Sequence, residues 1–391
     1  MLDAASSSNG FFVPPASVLI DATAIPENFG GVGRYLEGVI GALDADDSVA
    51  IVAQQRHAGL FAGLAPRARL IVAPPTLASR PLRLVWEQFG LPSLARRLDV
   101  DVLHSPHYTF PVLRRRPTVV TIHDATFFSH PEYHSRLKRM FFRTWITLAA
   151  RRRRGVAIVP SRATADEVER YVRRHRAELV VAHHGVDSDV FHSPSKTELA
   201  AVRTEIGLAP EQNWLAFLGT IEPRKNVGNL IRAHQALRSS RPDTPVLVVA
   251  GARGWDTDAA AALDASSAND VVEAGYLPTD LLRALLGGAT IVAYPSEGEG
   301  FGLPVLEAMA CGACVLTTDR LSLPEVGGTA VAYSEPDTLS IELALSGLLD
   351  DAPRRASLAA DAMSRAAEFT WEASASAHRT AYEHASKERR R

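Results

Sequence analysis

Cysteine is almost missing from this chain of 391 residues. It has two, too few for a disulfide framework. Lysine is nearly as scarce, at four residues (Lys138, Lys196, Lys225 and Lys387), so arginine carries most of the positive charge and a lysine at a special position calls for a reason. A basic excess is also missing. The formal charge is −2, whereas a nucleic-acid-binding chain shows a surplus of cations, so no nucleic-acid partner is expected. No run approaches the roughly 18 apolar residues of a membrane span. The start, Met1-Leu2-Asp3-Ala4, lacks a basic region, and the apolar stretch from Phe11 is broken by Pro14 and Pro15. That does not read as a secretory signal, and a cytoplasmic location is expected. Solenoid repeats and low-complexity segments are absent too. No residues have credible metal-ligand spacing and no Asp-x-Asp follows a strand, so neither metal nor cofactor is expected.

The two cysteines do form Cys311-Gly312-Ala313-Cys314, the spacing of a redox pair. Such pairs sit where a strand meets a helix in a thioredoxin-like unit. Here the segment leaves an apolar helix and enters the strand Cys314–Thr317, which suits small buried side chains better.

What is present is an ordinary globular balance, 46% hydrophobic and 22% charged, in a length suited to two domains. Short β-rich runs alternate with helical patterns. The runs are Val18–Asp21, Val49–Ala53, Val102–His104, Thr118–Ile122, Val156–Pro160 and Leu179–Ala182, then Trp214–Leu218, Val246–Ala250, Val271–Ala274, Thr290–Tyr294 and Cys314–Thr317. They are continuous and apolar, as strands buried on both faces of a parallel sheet require. Two successive sets predict an α/β chain of two doubly wound, Rossmann-like domains. The boundary is placed near Asp187–Gln212, where Ser193-Pro194-Ser195 interrupts the pattern, giving domains 1–190 and 191–370. A closing helix, 371–391, follows Thr370 as N-cap and completes the first domain, with Lys387–Arg391 a solvated tail.

Open α/β sheets hold ligands beyond the carboxyl ends of their strands, so the residues just after each strand matter most. After the first comes Asn28-Phe29-Gly30-Gly31-Val32-Gly33-Arg34-Tyr35. Its glycines allow close backbone approach to an anion at a helix start, although a turn without a ligand has the same composition and the Gly-x-Gly-x-x-Gly pattern is not met. After Thr118–Ile122 come His123 and Asp124, placed either to touch a substrate or to bond the neighbouring loop. After Trp214–Leu218 comes Gly219-Thr220-Ile221-Glu222-Pro223-Arg224-Lys225-Asn226. The adjacent Arg224 and Lys225 suit a diphosphate, since cations at a helix start are otherwise disfavoured. After Thr290–Tyr294 comes Ser296-Glu297-Gly298-Glu299-Gly300-Phe301-Gly302-Leu303-Pro304-Val305-Leu306-Glu307. Pro304 fits a first helical turn, so Gly302 and Leu303 offer free N–H groups. Glu299 and Glu307 are either acceptors for sugar and ribose hydroxyls or a capping acid and a surface acid.

Together these segments, with Ser322-Leu323-Pro324-Glu325-Val326, resemble the retaining glycosyltransferases of family 4, which have the GT-B fold of two Rossmann-like domains facing a central cleft. The resemblance spans most of the chain. It implies that Glu307 binds the donor ribose, Glu299 the hydroxyls of the transferred sugar, and the amides from Phe301 to Leu303 the sugar and diphosphate. Arg224 and Lys225 hold the diphosphate, Gly30 and Gly31 approach it from the other domain, and His123 and Asp124 lie beside the reacting sugar. Many members carry an Arg where Thr220 stands; Arg224 is the candidate to compensate, which makes its assignment less secure than that of Lys225. The implied partners are a nucleotide sugar and a carbohydrate acceptor. Gly219–Asn226, Gly251–Trp255 and Ser322–Val326 are similar to GDP-mannose-dependent mannosyltransferases, which favours GDP-mannose over UDP-sugars. A sugar-nucleotide epimerase and a non-catalytic nucleotide-sugar binder are the rival classes.

One further segment runs from Arg136 to Arg154. Leu137, Met140, Phe141, Trp145 and Leu148 share a broad apolar face with basic flanks. Such a helix suits an anionic membrane surface, or packs on the sheet with its arginines in water.

Overall fold

The computed structural model describes residues 16–25, 29–44, 48–113, 116–153 and 155–387. The leader reading at residues 1–15, Asn28, Arg154 and the tail from Glu388 lie outside the described residues.

Seven strands, β1 (Val18–Asp21), β2 (Val49–Ala53), β3 (Arg69–Val72), β4 (Val102–Ser105), β5 (Thr118–Thr121), β6 (Val156–Val159) and β7 (Glu178–Val181), form one sheet in the order 3-2-1-4-5-6-7. A second sheet holds β8 (Trp214–Leu218), β9 (Val246–Ala250), β10 (Val271–Gly275), β11 (Ile291–Tyr294), β12 (Val315–Thr317) and β13 (Ala332–Tyr333), in the order 10-9-8-11-12-13. Every pairing in both sheets is parallel. The chain is thus two doubly wound α/β units. All eleven expected runs match a strand to within a residue at each end. β3 and β13 were not expected. β3 is a sheet edge exposed at Arg69 and Val72, and β13 has only two residues, so neither shows a long apolar run.

The residues of central strands such as β2 and β9 are wholly buried, because helices cover both faces. On one face of the first sheet lie the helix Gly30–Leu43 and the closing helix Trp371–Lys387, whose Ala375, Ala381, Tyr382 and Ala385 share a core with Val18, Ile51 and Val156. Thr370 caps that closing helix, accepting from the Ala373 amide at 3.1 Å. A buried polar chain ties it to the sheet. Tyr382 OH bonds His104 Nδ1 at 2.9 Å, His104 Nε2 bonds Thr121 Oγ1 at 2.8 Å, Thr121 meets Tyr35 OH at 2.9 Å, and Tyr35 OH bonds His378 Nε2 at 2.7 Å. His378 Nδ1–H ends the chain on the Ser374 carbonyl at 2.7 Å, so each ring nitrogen and hydroxyl from Tyr382 to His378 has a partner.

The other face of the first sheet carries the helices Arg80–Arg97 and Arg136–Arg151. In the second of these, Ile146, Ala149 and Ala150 are buried against the sheet, while Leu137, Met140 and Leu148 lie exposed. The order of strands reverses between β1 and β4 and again between β8 and β11, and ligands of such sheets bind at these switch points. The two switch points face one another across the cleft.

Candidate active site between the two lobes

The floor of the site comes from the segments that follow β8 and β11. After β8 the chain makes a single 3₁₀ turn, Pro223–Lys225, and Asn226 then takes a left-handed conformation (φ 60°) before the helix Val227–Ser240. The Asn226 side chain donates to the Pro295 carbonyl at 3.2 Å and the Pro336 carbonyl at 2.6 Å, which locks this turn against the end of β11. Arg224 and Lys225 are thereby aimed at the loop 295–302.

That loop presents Glu299 to them. Arg224 Nη1 lies 2.6 Å from Glu299 Oε2, and Lys225 Nζ lies 2.8 Å from Glu299 Oε1, with both lysine and carboxylate buried. Tyr294 OH and Ser296 Oγ also donate to Glu299 Oε1, at 2.8 and 2.9 Å. Burial pushes the Glu299 pKa up, but the adjacent charges of Arg224 and Lys225 outweigh it and hold the carboxyl far below its ordinary range. Arg224 also pairs with Glu222 at 2.6 Å and donates to the Gly298 carbonyl, so both terminal nitrogens of its guanidinium are engaged by the protein. Lys225 meets Tyr294 OH and Glu299, which leaves one of its three N–H donors for a ligand.

Gly302 (φ 106°) precedes the helix Leu303–Ala310, with Pro304 in its first turn as the pattern required. Among the described residues, no protein group accepts from the amides of Gly302 and Leu303. Phe301 turns its ring away from them. It is buried beside His184, ring centroids 4.9 Å apart, and offers the cleft only its backbone.

Glu307 stands one turn into that helix and is met from the other lobe. Arg34, on the helix Gly30–Leu43, reaches across the cleft to Glu307 Oε1. Glu307 Oε2 is buried and has no partner in the protein. Burial raises the Glu307 pKa, with the Arg34 charge opposing it. Gly30 and Gly31 flank this contact at the helix start, and nothing lies within 4 Å of where a Cβ would stand on either. Room for a ligand lies over both.

His123 and Asp124 behave differently from each other. His123 Nε2–H donates to the Pro106 carbonyl at 2.7 Å, and burial lowers the ring's pKa, so it is neutral, with Nδ1 engaged by no described residue. Asp124 accepts from the Thr126 amide and hydroxyl at 3.0 and 2.7 Å and from Tyr108 OH at 3.1 Å, the geometry of a turn-forming acid. The second lobe touches the first here. A Cβ on Gly300 would stand 1.8 Å from the His123 carbonyl oxygen, so only glycine fits. Ser161 Oγ and Thr164 Oγ1 donate to the Gly300 carbonyl at 2.6 and 3.1 Å. Glu325 accepts from the Arg162 and Ala163 amides at 2.8 and 3.2 Å and from His183 at 2.6 Å.

Lys225, Arg224 and Glu299 are therefore in direct contact, Glu307 faces Arg34 beside them, and the open amides of Gly302 and Leu303 lie between. Arg34 and Glu325 were not singled out from the sequence, although both lie in segments that were. A cation at the start of a helix, which its dipole disfavours, was the available signal for Arg34. Cys311 and Cys314 are buried and unbonded, their thiols pushed up by burial to about 12 and about 11, so neither is a reactive thiolate.

Comparison with known proteins places this geometry. Residues 29–190 match the family described as glycosyltransferase family 4, and residues 200–365 match that described as glycosyl transferases group 1. The chain is 30% identical over 276 residues to the O-antigen chain mannosyltransferase B of Escherichia coli, covering 69% of this chain and 71% of that one. It is 34% identical over 233 residues to a D-inositol 3-phosphate glycosyltransferase of Stackebrandtia nassauensis, of which it spans half the length. Among solved structures, Anabaena Alr3699/HepE in complex with UDP-glucose superimposes with a TM-score of 0.70 at 18% identity, over 92% of this chain and 97% of that one. WaaG, a glycosyltransferase involved in lipopolysaccharide biosynthesis, does so with a TM-score of 0.66 at 17% identity, over 90% and 95%.

Proposed function

The chain belongs to glycosyltransferase family 4, a family of retaining enzymes with the GT-B fold, and from that premise we propose that it transfers mannose from GDP-mannose to a hydroxyl of an oligosaccharide, polysaccharide or glycolipid, forming an α-linkage. The mannosyltransferase relative supports the sugar. The observation that carries the donor pocket is the orphaned Glu307 Oε2. A buried carboxylate oxygen without a partner is costly, and a pair of ribose hydroxyls would satisfy it.

In this reading the pocket lies between domain 1–190, with its returning helix, and domain 191–370. The diphosphate sits at the start of the helix Leu303–Ala310, with the Gly302 and Leu303 amides and the spare Lys225 donor on its oxygens. Arg224, occupied by Glu222 and Glu299, chiefly holds Glu299 in place. Glu299, kept ionised, accepts from sugar hydroxyls. The neutral His123 turns Nδ1 towards the sugar, and Gly30 and Gly31 close over the phosphates. Asp124 supports the loop that carries His123.

Retention follows if the nucleoside diphosphate departs on the face from which the acceptor attacks. The C1–O bond to phosphate breaks, the acceptor oxygen bonds to C1, and a phosphate oxygen takes the acceptor proton. Charge developing on the diphosphate is met by Lys225 and the two amides, which are already in position. The HepE complex favours a second reading, a UDP-sugar donor in the same pocket. Incubation with GDP-mannose and with UDP-sugars, each with and without acceptor, decides the matter. Transfer dependent on acceptor is expected with GDP-mannose. Donor interconversion without acceptor would mean an epimerase, and nucleotide retained unchanged would mean a binder.

A further inference from the structure

The first lobe has an outer surface that the cleft does not use. The helices Arg80–Arg97 and Arg136–Arg151 lie side by side on one face of the sheet, joined through Phe110. Its carbonyl accepts from Gln88 at 3.0 Å, and its ring meets Trp145 edge-on at 5.5 Å. The outward side of this layer is apolar. Leu82, Val85 and Phe89 project from the first helix, Val112 and Leu113 from the loop beside it, and Leu137, Met140 and Leu148 from the second. Leu137 and Met140 are 72% and 64% exposed, so they do not contribute to the core. These are eight of the sixteen large apolar side chains the described residues expose, and contiguous apolar patches of this kind mark interaction sites.

Charge identifies the partner. The helix Arg136–Arg151 contains five cations and no acid. The helix Arg80–Arg97 contains four arginines and one carboxylate, Glu87, which is buried under Thr109 and Arg83. The whole chain, by contrast, has a net charge of −2, so cations are gathered on this layer. The exposed stripe Leu137, Met140, Thr144, Leu148 runs along the helix to Arg151. There it meets an open recess of about 530 Å³ lined by Arg151, Arg173, Arg174 and Arg176, none of which pairs with a carboxylate among the described residues. An apolar stripe flanked by cations and ending in guanidinium groups with no carboxylate partner among the described residues fits acyl chains and phosphate-bearing headgroups together. A protein partner would need an acidic rim around an apolar centre. A bilayer with anionic lipid supplies both chemistries in one plane.

We propose that this face seats the enzyme on an anionic lipid bilayer, with the four-arginine recess taking lipid phosphate. The other end of the same helix lies at the cleft, where Lys138 stands 4.6 Å above the Trp255 ring of the second lobe. A helix of 16 residues is about 24 Å long. Seating it on the bilayer therefore holds the cleft mouth close to the lipid surface, and this deepens the reading of the acceptor as a glycolipid.

The test is flotation of the whole chain with phosphatidylcholine vesicles, with and without phosphatidylglycerol. Binding is expected only with the anionic lipid, and release is expected as salt is raised. Leu137→Gln/Met140→Gln/Leu148→Gln abolishes it. Arg173→Gln, Arg174→Gln and Arg176→Gln each weaken it about fivefold, the effect of one cation near an anionic surface. Circular dichroism and the thermal shift with GDP-mannose, read on the same samples, stay as in wild type because none of the substituted side chains belongs to the donor pocket. A lost GDP-mannose shift in wild type defeats the donor reading and leaves this one standing. The proposal is overturned by no flotation, by equal binding to neutral vesicles, or by variants that float as wild type does. It is also overturned by inorganic phosphate binding to the recess without flotation, or by a dimer that the apolar variant abolishes.

Discussion

Replacing Glu307 by glutamine separates binding from stability. The side chain keeps its size and loses its charge. Two consequences for folding oppose each other: the burial penalty on the carboxylate is relieved, and the Arg34 pair is lost. Arg34 is 32% exposed and can turn to water, so the net change in stability should stay within about 1 kcal/mol. Donor affinity should respond quite differently. If Oε2 accepts a ribose hydroxyl, a bond to a charged acceptor worth about 1.5–3 kcal/mol is weakened. At about 1.4 kcal/mol per factor of ten, GDP should bind roughly 10- to 150-fold more weakly. Isothermal titration with GDP and with 2′-deoxy- and 3′-deoxy-GDP provides the cycle. Wild type should lose affinity for at least one deoxy analogue, and the variant should show little further loss for the same analogue. Urea unfolding of both proteins guards against a trivial explanation. Unchanged GDP affinity, or a full deoxy penalty persisting in Glu307→Gln, would refute the role assigned to Oε2.

Lys225→Ala removes a cation with a donor to spare, and turnover should fall about 10²–10³-fold in a nucleotide-release assay, with donor affinity moving far less; activity within tenfold of wild type would defeat the assignment. Gly300→Ala puts a methyl into the His123 carbonyl and keeps the lobes from meeting, so kcat should fall about a hundredfold while GDP still binds. A variant as active as wild type would show that this contact is dispensable. His378 is held neutral by burial, its pKa pushed down to about 4. A lowered histidine contributes stability that is complete above its unfolded value of about 6.5 and is lost as pH falls towards 4, about 3 kcal/mol in all. Urea midpoints measured from pH 7 to pH 4 should therefore drop steeply below 6.5, and a flat profile would count against the buried network.

The strands were legible because helices cover both sides of each sheet, leaving runs such as Val49–Ala53 and Val246–Ala250 with no polar positions at all. The edge strand β3 lacks that cover and half exposes its residues, so its pattern is indistinct. The same logic applies within the site. Gly302 with Pro304 announces a helix start through local backbone chemistry, and the scarcity of lysine singled out Lys225 before any contact was known. Phe301 shows the limit of such reading. Its backbone is where the motif puts it, but its ring is claimed by His184, a residue on the other lobe.

Arg34 and Glu325 went unassigned for a physical reason. Each acts only across the cleft, Arg34 on a carboxylate 273 positions away and Glu325 on amides 162 and 163 positions away. No local preference encodes such a pairing; it exists only once both sheets have formed and met. Local signals can therefore outline the second-lobe half of the pocket, where Lys225, Glu299 and the helix start come from one switch point. The half contributed by the first lobe depends on closure. A site divided in this way has an energetic consequence. Glu307 is buried, and the Arg34 charge opposes the cost of that burial, so closing the lobes completes the charge balance of the pocket. A ligand that bonds Oε2 then stabilises the closed form by the same contacts that bind it.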